Sequence, residues 1–128
     1  MNALTTEWIA KAEADLRTAR REFAATDEPN YDAVCFHAQQ AAEKCLKARL
    51  VEAGIAFPKT HDLGALVALA VGVEPTWSKL LGVVDALTDR AVEVRYPGVL
   101  ADYEDGADSI QRAEAVRREV LRALGLPV

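Results

Sequence analysis

Apolar residues return at spacings of three and four along four long stretches of this chain, the period of α-helices that bury one face. In residues 6–25 the stripe is Ile9, Ala12, Leu16, Ala19 and Phe23, with Lys11, Arg17, Arg20 and Arg21 off it. In residues 30–53 it runs through Val34, Ala38, Ala41, Cys45 and Ala48, widened by Ala42, Leu46 and Leu50. Gly54 follows, a residue that accepts the left-handed turn ending many helices. Trp77, Leu80, Leu81, Val84, Leu87, Ala91 and Val94 mark a helix starting near Pro75 and stopping near Arg95, because Pro97 disfavours helix in the residue before it. Residues 103–124 turn Ile110, Ala113, Val116, Val120, Leu121 and Leu124 inward. A shorter helix is expected over residues 62–70, with Thr60 as its N-cap.

The breaks between these stretches are Asp27-Glu28-Pro29-Asn30, residues 54–59, residues 72–75 and Pro97-Gly98. Ala and Leu dominate the apolar residues, and the β-branched and aromatic enrichment of strands is missing. The expected fold is therefore all-α: an up-and-down antiparallel bundle of four long helices plus one short one, forming a single domain over residues 1–128.

Twenty acidic against fifteen basic side chains leave a net charge of −5. Bulk positive charge thus cannot drive nucleic-acid binding, although a local basic patch could. Cys35 and Cys45, ten residues apart on one helix, would stand about 15 Å apart along its axis. A disulfide needs Cα atoms within roughly 7 Å, so two buried reduced thiols are expected. The opening residues lack the basic and apolar regions of a signal peptide, and no apolar run is long enough to span a bilayer. A cytoplasmic protein without membrane contact is expected.

Three polar motifs stand out. His37, Gln40, Lys44 and Lys47 project from one face of the second helix, where they could grip phosphate or a base edge. They could equally be a solvated face or a surface packed on a partner. Lys59-Thr60-His61-Asp62-Leu63 opens the short helix, whose backbone N–H groups favour anions, though ordinary capping would also explain it. Arg95-Tyr96-Pro97 closes the fourth helix, where the helix dipole alone would favour an Arg. No metal-ligand spacing, glycine-rich phosphate loop or serine elbow occurs, so no metal and no cofactor is assigned. The acidic pairs Glu13/Asp15 and Asp102/Asp105 mark no active site.

Residues 31–50, reading YDAVCFHAQQAAEKCLKARL, resemble the second helix of HEPN-domain proteins. Lys59-Thr60-His61-Asp62-Leu63 and Arg95-Tyr96-Pro97 continue the resemblance in order, and Ala14-Asp15-Leu16 with Ala19 completes it in the first helix. The resemblance implies a helical bundle that forms a homodimer through Ala-rich surfaces. It also implies a minimal nucleotidyltransferase as partner, in some cases as a toxin–antitoxin pair. Toxic members are metal-independent ribonucleases with an Arg, four to six residues, then a His. In some, a Tyr two residues further on receives a nucleotidyl group. Here the His position after Arg95 falls on Leu100, Ala101 or Asp102, while Tyr103 occupies the modification position. The base that would take the ribose hydroxyl proton is missing from that motif.

The expected function is thus a non-catalytic nucleotide- or RNA-binding partner module. Its candidate binding residues are His37, Gln40, Lys44, Lys47, Lys59, His61, Arg95 and Tyr96. Arg95 and His61 are the candidates should the chain be a ribonuclease with a relocated base. The remaining alternative is a purely structural helical homodimer.

Overall fold

The structure, a computed structural model, describes residues 1–128 and is all-helical: α1 (Ala3–Phe23), α2 (Tyr31–Glu52), α3 (Leu63–Ala70), a 3-10 helix (Pro75–Leu80), α4 (Leu81–Glu93) and α5 (Tyr103–Ala123). Cross-helix pairs fix the directions. Asn2 meets Glu52 and Asp15 meets His37, so α1 and α2 run antiparallel. Arg90 meets Asp108 while Lys79 meets Glu119, so the chain entering and forming α4 runs antiparallel to α5. Arg20–Glu114 and Glu13–Arg117 give α1 and α5 the same relation. The bundle is up-and-down, as the periodicity leads one to expect.

Its cross-section is not square. α2 touches every other α-helix, and it packs closely along the parallel helix α5. Small residues permit that approach: Cys35, Ala38 and Ala42 are buried on α2, and Gly106, Ser109 and Ala113 on α5. A Cβ at Gly106 would lie 3.3 Å from both Phe23 Cδ1 and Tyr31 Cδ1, so glycine leaves room for the aromatic rings at this end of the bundle. Because α2 is enclosed by its neighbours, apolar side chains occupy most of its circumference. The core joins Leu16, Ala38, Leu46, Leu50, Leu66, Trp77, Val84, Leu87, Val116 and Val120 in one cluster.

Helix ends differ from expectation in three places. α1 begins at Ala3 instead of residue 6, because the Asn2 side chain caps it by accepting from the Leu4 N–H. The cap of α3 is Asp62, not Thr60: its carboxylate accepts from the Ala65 N–H at 3.4 Å, while Thr60 Oγ1 accepts from the Asp62 N–H at 3.1 Å. The expected single helix from Pro75 is divided into a 3-10 turn and α4. Glu74 supplies no side-chain cap there, because its carboxylate is spent on Arg49 at 3.0 Å. A 3-10 turn holds three residues against 3.6, which shifts the phase of the stripe. Leu80 is buried as a result, and Leu81, expected inside, is 38% exposed.

Both thiols are free and buried. Burial is the main force raising Cys45 from its ordinary 9.0 to about 12. Between those values the folded chain keeps a proton that the unfolded chain has lost. The thiol's stabilising contribution is therefore complete below pH 9.0 and is lost as pH rises toward 12. Above that onset, wild type should lose on the order of 1.4 kcal/mol per pH unit more than Cys45→Ala in urea unfolding. Parallel pH dependences would contradict this placement of Cys45.

Candidate functional site

The polar stripe of α2 divides into two sets of contacts within the fold. On one edge, Asp15 of α1 receives both His37 Nδ1, at 2.9 Å, and Lys44 Nζ. On the other, Glu43 is buried, with 4% of its side chain exposed, and pairs with Lys47 Nζ at 3.0 Å. That ammonium sits 5.5 Å from the Trp8 ring centre and 5.7 Å from that of Phe57. Gln40 Nε2 donates to Gln39 Oε1 at 2.8 Å, which places Gln40 with the Glu43 set. Lys44 and Lys47 thus neutralise carboxylates inside the bundle, and His37 is held by one of those carboxylates.

His61 is the exception. Its Nδ1 lies 2.8 Å from Glu43 Oε1, yet 70% of its side chain is exposed. Gln39 Nε2 fixes the same turn by donating to the His61 carbonyl at 3.0 Å. An open groove of about 340 Å³ runs past this imidazole, lined by Gln39, His61, Asp62, Thr88, Val92 and Arg95, with Ala91 at its floor. Arg95 is exposed and makes no ion pair, unlike Arg90 and Arg112, which are tied to Asp108 at 3.0 and 2.7 Å. Burial alone would raise the Asp108 carboxyl, but hydrogen bonds from Arg112 and Arg90 outweigh it and hold it below its ordinary range. Among the residues lining the groove Arg95 is the one Lys or Arg, and it is unpaired.

The N-terminus of α3 is already occupied. Asp62 caps Ala65, and Thr88 Oγ1 accepts from the Leu63 N–H at 3.3 Å. A Cβ at Gly64 would meet carboxylate oxygens of both Asp62 and Asp85, so two anions already stand at this helix end. An incoming phosphate would find its partners in the side chains of His61 and Arg95 rather than in these N–H groups. Lys59 is exposed before the groove, and Tyr96 is 63% exposed beside Arg95; neither lines it.

A larger cleft, about 470 Å³, separates α1 from α5 and is lined by Arg20, Glu104 and Asp108 among others. Arg20 is paired with Glu114 at 2.6 Å, which leaves that cleft no free cation. Tyr103, 53% exposed, lies outside the groove and packs its ring on Phe23 with centres 4.8 Å apart. Of the positions after Arg95 where the ribonuclease motif would need His, Leu100 is exposed and Ala101 is buried, its N–H donating to Asp32 at 2.7 Å. Asp102 and Asp105 cap each other at the start of α5. Glu43 and Gln39 are not among the candidate site residues read from the sequence. Their one signal is that Gln39, Glu43 and Lys47 follow at intervals of four, interrupting the apolar circumference of α2.

The HEPN domain family model matches residues 5–123, and the chain belongs to that family. The structure of TT1696 from Thermus thermophilus superposes with a TM-score of 0.80 at 20% identity, covering 92% of this chain and 96% of that one. ST0689, described as an archaeal HEPN homologue, gives a TM-score of 0.73 at 26% identity, covering 93% and 96%. No curated protein matches the chain. No helix is long and apolar enough to cross a membrane.

Proposed function

We propose that this chain is a nucleotide- or RNA-binding partner module that holds phosphate in the groove between His61 and Arg95. It acts beside a minimal nucleotidyltransferase in a two-component, toxin–antitoxin-like system, as a homodimer. The observation that carries the binding reading is Arg95, an unpaired guanidinium sharing a groove with an exposed imidazole whose other face is anchored. A guanidinium offers a planar fork of donors suited to phosphate oxygens. Its local charge matters more than the net charge of −5, because it stands next to the ligand. Membership of the HEPN family supports the partner, and Tyr103 is the residue to examine for nucleotidyl modification. The exposed apolar run of Tyr96, Val99 and Leu100 supports self-association.

Isothermal titration with ATP, UTP and a short RNA tests the groove. Binding is expected for wild type and is expected to weaken ~10-fold in Arg95→Ala, the loss of one charge-assisted contact. No heat at millimolar ligand would remove the reading. Co-purification with a small nucleotidyltransferase tests the partner.

The placement of His61 favours a second reading, a metal-independent ribonuclease with a relocated base. A general base needs an anchored imidazole near the scissile phosphate, and Arg95 would stabilise the charge that develops there. Growth arrest on expression, lost in both Arg95→Ala and His61→Gln, is its expected mark. Unchanged growth with the wild-type chain removes it.

A further inference from the structure

Glu43 lies beneath the groove, where no ligand reaches it, yet it receives Gln39 Nε2 at 3.3 Å, Lys47 Nζ at 3.0 Å and His61 Nδ1 at 2.8 Å. A carboxyl buried this deeply without a partner would favour its neutral form. Lys47 supplies the opposite charge, itself only 10% exposed at the side chain and flanked by Trp8 and Phe57. An ionised carboxylate has no proton to donate, so the contact with His61 is a hydrogen bond from Nδ1–H to Oε1. That leaves Nε2 on the side of the ring turned away from Glu43, in a side chain that is 70% exposed.

We propose that Glu43 is the positioning residue of the groove: it holds neutral His61 as the Nδ1–H tautomer and aims Nε2 at the ligand beside Arg95, with Lys47 balancing its charge. This rests on the groove reading and narrows the ligand. Neutral Nε2 is an acceptor and Arg95 is only a donor. The pair therefore suits a molecule that presents a hydroxyl next to a phosphate, as a ribose phosphate does, over inorganic phosphate alone. The arrangement follows a general pattern in which a carboxylate on one ring nitrogen sets the tautomer and orientation of the other.

The test uses the full chain labelled with ¹⁵N, whose two histidines make the imidazole spectrum simple to assign against His61→Gln. Long-range ¹H–¹⁵N spectra, taken where the ring is neutral, report the tautomer; titrations with ATP and with inorganic phosphate report binding. Wild type is expected to show His61 as Nδ1–H and to bind ATP more tightly than phosphate. Glu43→Met/Lys47→Met removes both charges together and so leaves none stranded. Far-ultraviolet circular dichroism confirms that it is folded. It should lose the tautomer and bind ATP ~10-fold more weakly. Glu43→Gln/Lys47→Met keeps an acceptor oxygen and should restore both properties. An Nε2–H tautomer in wild type, or a Met/Met variant that binds ATP like wild type, overturns the role of Glu43 while leaving the groove reading intact. A wild-type chain that binds neither probe overturns both.

Discussion

Glu43→Leu, made alone, is expected to lower folding stability by ~3–5 kcal/mol, because it leaves Lys47 buried without a counter-charge. The ammonium has little exposed surface through which to regain water, and its remaining neighbours, Trp8 and Phe57, supply only ring faces. Cation–π contact at such a site offers roughly 0.5–2 kcal/mol, too little to replace the carboxylate. Adding Lys47→Met should restore most of the loss, since buried ion pairs exchanged for apolar residues of similar volume are often neutral in effect. Urea unfolding of the two variants checks this. A single variant as stable as wild type would show that Lys47 reaches water and that Glu43 is not structurally bound to it.

Trp77→Ala should have a comparable effect, ~3–5 kcal/mol. Trp77 is 1% exposed and joins the same core cluster as Leu66, Leu87 and Val116. It sits on a 3-10 turn that no side chain caps, so the indole, with Leu80, anchors the link between α3 and α4 in the core. Truncation opens a large cavity and frees that link together. Against a usual total of about 5–15 kcal/mol, the loss brings a small domain near its folding limit. A urea midpoint close to that of wild type would mean that the link is held by something other than Trp77.

Local sequence patterns reveal some parts of this molecule and hide others. The stripes from Leu16 and Ala19 through Val116 and Val120 predict the buried faces well, because side-chain direction follows directly from helical period. The free thiols follow from the same geometry. The polar stripe of α2 is different. A row of His37, Gln40, Lys44 and Lys47 reads as a surface only if the helix has a free side, and α2 touches every other α-helix. Asp15, twenty-nine positions from Lys44, is brought to that stripe by the α1–α2 hairpin, which spacing within one helix does not express. Glu43 is hidden for a related reason: a Glu four residues before a Lys is an ordinary exposed pair until tertiary packing covers it. Thr60 and Asp62 are both good caps, and the choice between them depends on Thr88 of α4 occupying the Leu63 N–H. His61 and Arg95, thirty-four positions apart by number, are each legible as motifs, but their shared groove belongs to the fold.

The most direct test of the groove compares two charge reversals that change the whole molecule equally. Arg95→Glu and Arg17→Glu each lower the net charge by two, and Arg17 is likewise exposed and unpaired, on α1. Calorimetric titration with ATP should show Arg17→Glu close to wild type, since Arg17 does not line the groove and an exposed surface charge is screened by salt. Arg95→Glu should bind ~100-fold more weakly or not at all, because an attractive contact becomes a repulsive one. Equal weakening in both variants would mean that ATP responds to net charge only, and the groove between His61 and Arg95 would not be the binding site.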